Sequence, residues 1–146
     1  YIDAVWAVYA DNLTTILYFS LVGFHLARYT AGTRVVSVNV IYAAICLYMI
    51  LAVIWGSIYS IQYLYYEEAF AFSSESLEQL AANTDTTQSL FNYYSLVTLT
   101  TLGYGDIVPL TRTTQAWVSV ESMVGQFYLA VVVAQLVSSY GTRREA

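Results

Sequence analysis

Seven consecutive residues of this 146-residue chain carry types and spacing that can do chemistry: Thr100-Thr101-Leu102-Gly103-Tyr104-Gly105-Asp106. Gly103 and Gly105 can occupy φ > 0 without steric cost. A backbone that alternates handedness through them points the carbonyls of successive residues the same way. A row of carbonyls aimed at one axis offers a dehydrated cation the oxygens that replace its water. The Thr101 hydroxyl can add a further ring of oxygen. One chain cannot surround an ion with such a strand, so four copies are implied.

Glu121 is the second candidate, because an ionisable group inside an apolar helical run marks function by default. At 100° per residue it lies about 140° around its helix from Gln126. It is therefore expected to face away from the axis, toward the short helix before the heptapeptide, with Thr98 and Thr100 as partners. Neutral and donating, or ionised and accepting, it would fix the spacing between the last helix and the heptapeptide. His25 has no Cys, His or acid at metal-ligand spacing, so no transition metal is expected. The single Cys46 excludes an intrachain disulfide and reads as a small packing residue. There is no nucleotide-binding fingerprint, no catalytic constellation and no arginine at every third position. The chain reads as neither an enzyme nor a voltage sensor.

The elements that must position these residues are apolar. The chain is 58% hydrophobic and 10% charged, against about 25% charged in soluble domains. A net charge of -5 argues against nucleic acid, and all five basic residues are arginine. The 15 tyrosines suggest interfacial belts. Residues 13 to 27 reach only about 22 Å as a helix, short of a bilayer core of roughly 30 Å. Counting back to Ala4 gives a transmembrane helix that places Asp11 in or near the membrane; an interfacial helix is the alternative. Val35 to Tyr66 contains no charge and extends about 48 Å. Tyr59, Tyr63, Tyr65 and Tyr66 crowd one end of it, where an aromatic belt belongs.

Residues 67 to 85 form an acidic connector holding Glu67, Glu68, Glu75, Glu78 and Asp85, with a helical turn or two expected over Ser74 to Leu80. Residues 86 to 99 predict a helix of about 21 Å, too short to span. Asp85 stands as its N-cap, with Gln88 at capping-box spacing. Pro109 blocks an early restart, and residues 113 to 140 form the last helix, of which Ala116 to Val137 alone gives about 33 Å. If residues 86 to 112 enter and leave from one side, Arg28, Arg34, Arg143 and Arg144 gather on the other, which marks the cytoplasm. The chain then starts outside the cell and, lacking an initial Met, is expected to be preceded by further spans.

Thr-Thr-Leu-Gly-Tyr-Gly-Asp resembles the Thr-Val-Gly-Tyr-Gly-Asp filter of the potassium channel superfamily. The resemblance extends over residues 35 to 140: outer helix, acidic turret, pore helix, filter, Asp106-x-x-Pro109 and inner helix. It is greatest to the small bacterial potassium channels with no voltage sensor in the pore subunit. It implies an all-α membrane protein with an outer helix (35–66), turret (67–85), re-entrant pore helix (86–99), filter (100–106) and inner helix (113–140). Residues 35–146 would be the pore domain, and residues 1–34 a preceding transmembrane helix and cytoplasmic loop. It implies a homotetramer in the plasma (inner) membrane, multi-pass, surrounded by lipid, with a cytoplasmic C-terminus and passive potassium conduction. No cofactor is implied beyond K+ ions held by Thr101, Leu102, Gly103, Tyr104 and Gly105. Regulatory segments or subunits outside this chain are compatible with the pattern.

Tyr93 and Tyr94 stand where such channels often carry two tryptophans, and a tyrosine hydroxyl there can reach Asp106 or Tyr104. Thr100, Asp106 and Glu121 complete the expected support of the filter. Leu102 replaces the usual Val, and Val97 replaces a Glu that in some members pairs with the filter Asp. Gly125 resembles a hinge glycine, with close helix packing as the alternative. Gln126, Leu129 and Val133 would line the cavity, and Val137 a constriction below it. The C-terminal end of the pore helix would present partial negative charge to a cation in the cavity. Three rivals remain. A potassium uptake transporter subunit would carry four linked pore loops, and this chain has one. A non-selective cation channel of the same fold would be expected to lose Tyr104 or a filter glycine. A non-conducting scaffold leaves the filter unexplained.

Overall fold

A computed structural model describes residues 2–32, 37–66, 68–74 and 85–142. The order is α1 (Ile2–Gly32), α2 (Val38–Tyr65), β1 (Phe70–Phe72), α3 (Asp85–Leu99), β2 (Ile107–Pro109) and α4 (Arg112–Thr142). Three stretches are long and apolar enough to cross a membrane: Val5–Gly32, Val38–Tyr65 and Arg112–Gln135. Arg34, Glu67, Glu75, Glu78, Arg143, Arg144 and the turn expected after Ser74 lie outside the described residues.

Helix α1 runs unbroken through Asp11 and Asn12. Asp11 is on an exposed face, while Asn12 is buried and donates its amide to the Val8 carbonyl at 2.9 Å. The polar pair therefore interrupts the hydropathy of the run and not its backbone. Helix α2 has no charge and no proline to stop it, and Gly56 marks where α3 comes closest. A Cβ at that position would meet the side chain and backbone of Asn92. Cys46 is exposed on α2 of the protomer.

The helical architecture carries one addition that the sequence pattern did not reveal. β1 and β2 pair antiparallel, with Phe70 opposite Pro109, Ala71 opposite Val108 and Phe72 opposite Ile107. Segments of three residues are too short to show a period of two. Pro109 is tolerated because a two-stranded sheet consists of edges. Phe70 and Ile107 turn inward onto a core built from α2, α3 and these strands. Its centre is aromatic: the Tyr59 ring meets Phe70 at 5.7 Å and Tyr94 at 5.3 Å, both edge-on. Phe91 lies 5.1 Å from Phe70. Such edge-on pairs are favourable by about 0.5–1.5 kcal/mol beyond the area they bury. Tyr59 is thus fully buried, and not part of an interfacial belt as the cluster of tyrosines suggested. Tyr65 and Tyr66 are exposed.

Candidate functional site

The heptapeptide hangs from the last turn of α3. The Leu102 N–H donates to the Val97 carbonyl at 2.9 Å and the Thr101 N–H to the Thr98 carbonyl at 2.9 Å. These are the two bonds of a Schellman motif, whose first residue past the cap sits in the left-handed region. That residue is Thr101, with φ 61°. Glycine is usual there, and a β-branched residue is a backbone outlier of the kind that concentrates at functional sites. Gly103 at φ 57° and Gly105 at φ 78° follow. Every second residue from 101 to 105 is therefore left-handed, which extends the alternation one residue beyond the two glycines. Residues 101 to 105 are exposed on the protomer.

The far end of the segment is clamped to the connector. Asp106 accepts a hydrogen bond at Oδ2 from the Tyr93 hydroxyl at 2.9 Å, and at its backbone carbonyl from the Ser73 N–H at 2.8 Å. The Leu110 N–H donates to the Ala69 carbonyl at 2.9 Å, and the Thr114 hydroxyl reaches the same oxygen at 3.3 Å. Of Tyr93 and Tyr94, it is Tyr93 that reaches Asp106. Tyr94 turns inward against Tyr59 and Phe70.

The last four carbonyls of α3 all have partners. Leu96 accepts from Thr100, Val97 from Leu102 and Gly103, and Thr98 from Thr101. The Leu99 carbonyl accepts the Tyr48 hydroxyl at 2.9 Å. The partial charge of a helix end resides in its unsatisfied groups, so this C-terminus is less bare than the sequence reading assumed. Gly125 belongs to the same contact, since a Cβ there would collide with the Leu99 carbonyl oxygen. The close-packing alternative accounts for this glycine.

Glu121 is fully buried and faces α3. Its partners are not Thr98 or Thr100. Oε1 accepts from the Ser95 hydroxyl and Oε2 from the Tyr59 hydroxyl, each at 2.5 Å. Thr100 instead donates back to the Leu96 carbonyl at 2.7 Å, the local bond that hydroxyl side chains commonly make in helices. Gln88 turns toward α2. Its amide donates to Ser57 on α2 at 3.2 Å and to Asn92 at 3.1 Å. Asp85 is the first residue of α3. Ser95 and Tyr59 escaped sequence reasoning because nothing in their spacing distinguishes a hydroxyl that meets a partner 26 or 62 residues away.

Alongside the heptapeptide, a concavity of about 440 Å³ brings Thr101, Gly103 and Gly105 together with Val97, Thr98, Ile107, Ser122 and Gln126. Leu129, Val133 and Val137 continue along α4 and are exposed on the protomer. No cluster of metal-binding side chains occurs among the described residues.

Three apolar helices, a fourth too short to span and a loop of alternating handedness together define a membrane pore. A family model described as "Ion channel" matches residues 35–140. The chain belongs to this ion channel family, and the matched residues form a pore domain of the potassium-channel type. Neither a search of curated proteins nor one of solved structures returned a match.

Proposed function

We propose that this ion channel is potassium-selective and works as a homotetramer, with four copies of residues 101 to 105 around one axis. The observation that carries the reading is the left-handed backbone at Thr101, Gly103 and Gly105. With that alternation, successive carbonyls from Thr101 to Gly105 can share one direction and replace the hydration shell of a cation. The exposure of these residues, and of Gln126, Leu129, Val133 and Val137, on a single protomer fits surfaces meant for the pore and for neighbouring copies. A head-to-tail interface closes naturally into a ring. Potassium is the cargo, and conduction is passive and non-enzymatic.

Tyr93 and Asp106 brace the outer end of the filter, and Thr100, Tyr94 and Glu121 stand behind it. Gln126, Leu129 and Val133 line the cavity and Val137 its lower mouth. Residues 35–146 make the pore unit, and residues 1–34 add a span. The arginines at 28, 34, 143 and 144 orient it in the plasma (inner) membrane with a cytoplasmic C-terminus. Native mass measurement and imaging of the purified protein test the assembly. Four copies around the Gly103-Tyr104-Gly105 axis are expected. A monomer, or a two-fold dimer with residues 101 to 105 facing lipid, contradicts the reading.

A further inference from the structure

Glu121 has no part in holding the ion, yet it is a fully buried carboxyl in the middle of a membrane span. Each of its oxygens takes one hydroxyl, Ser95 from α3 and Tyr59 from α2. Three elements meet at this one side chain. One turn further along α4, Gly125 lies against the Leu99 carbonyl, and that carbonyl also takes the Tyr48 hydroxyl of α2. Ser95 and Leu99 are themselves one turn apart on α3. The two contacts form successive rungs, each joining α2, α3 and α4, and the upper face of the second rung is the turn from which the filter hangs.

We propose that Glu121 is a positioning residue that sets the register of α4 against α3, so that displacement of the inner helix alters the filter's ability to conduct. The proposal rests on the pore reading above and adds a coupling to it. An apolar side chain at position 121 would pack with little directional preference and let α4 slide or turn. Two hydrogen bonds of fixed direction allow one register, because leaving either hydroxyl or carboxyl oxygen without a partner in this environment is destabilising. Glutamine keeps both contacts only if one hydroxyl turns from donor to acceptor toward its NH2 group, so the pattern of the carboxyl, which accepts from both, is not reproduced. The local connectivity supports transmission as well as support. Ser95 lies two residues before Val97, whose carbonyl holds Leu102 and Gly103. A shift of the Ser95 turn therefore moves the start of the filter.

Single-channel recording of the full chain in planar bilayers tests this with Glu121→Gln, Tyr59→Phe and Ser95→Ala, alone and in pairs. The last two substitutions each remove one hydroxyl with little change of volume. Each single variant is expected to change open probability by about five-fold or more, the lower range of measured coupling between sites. The reversal potential in mixed potassium and sodium should stay at the unmutated value. Because the three side chains act as one network, Glu121→Gln combined with either partner variant should add little to the larger single effect. Unchanged open probability in Tyr59→Phe and Ser95→Ala, or fully additive effects in the pairs, overturns the proposal. So does a shift of reversal potential in step with open probability, which would make Glu121 a selectivity determinant instead. Absence of potassium current from the unmutated protein overturns the pore reading itself, and this inference with it.

Discussion

Thr101 shows at the scale of one residue how the proposed filter is built. Its φ of 61° is unfavourable for a branched side chain, and the two Schellman hydrogen bonds hold it there. A glycine would relax the backbone but remove the hydroxyl proposed to add a further ring of oxygen. Gly103 is the complementary case. Within the protomer nothing lies near the position where its Cβ would be, so alanine meets no steric obstacle from its own chain. The obstacle is conformational, since a left-handed backbone costs about 1–2 kcal/mol for a residue with a Cβ. Gly103→Ala is therefore expected to abolish potassium-selective conduction while the protein still elutes as the same oligomer. Retained selective current in that variant would show that the left-handed conformation is dispensable. The glycines were legible in the sequence because their chemistry is local. The third left-handed residue was not, because Thr101 is forced into place by bonds to Val97 and Thr98 that no propensity encodes.

The short helix α3 is the element on which the site depends. Its length, its position between two spans and its termination before the heptapeptide could all be read from the sequence. Its attachments could not. Asn92 fits against Gly56, Gln88 bonds to Ser57, Ser95 to Glu121, and the Leu99 carbonyl to Tyr48. Each joins residues far apart in the chain, where type alone does not reveal the partner. The strand pair Phe70–Phe72 with Ile107–Pro109 was hidden for the same reason, compounded by its brevity. Gly125 was recognised as unusual for a helix interior, and its contact with Leu99 fits the close-packing reading. Alanine at that position gains about 1 kcal/mol of helix propensity. It also drives a methyl into the Leu99 carbonyl, and overpacking of that kind costs about 1–3 kcal/mol. Gly125→Ala should thus lower the melting temperature of the purified channel. A pure hinge would instead leave stability equal or higher and change only gating.

At the scale of the whole molecule, the exposed surface divides by use. The outer face of α1 presents Leu13, Leu17, Leu21 and Phe24, the kind of surface that hydrocarbon solvates. The filter and the exposed side of α4 present the proposed pore. Four polar side chains at the junction of α2, α3 and α4 are withdrawn from the surface: Ser57, Ser60, Ser95 and Glu121 are all nearly or fully buried. Composition and span lengths made the membrane class legible from the sequence. The convergence of the Ser95 and Tyr59 hydroxyls on one carboxyl needed the fold. Potassium selectivity is the claim on which the rest depends, and the most direct test is the reversal potential of the unmutated channel in planar bilayers with potassium on one side and sodium on the other. A filter of carbonyls spaced by alternating handedness predicts a strongly displaced reversal potential, with potassium far more permeant than sodium. A reversal potential at zero, meaning equal permeability of the two ions, would contradict it.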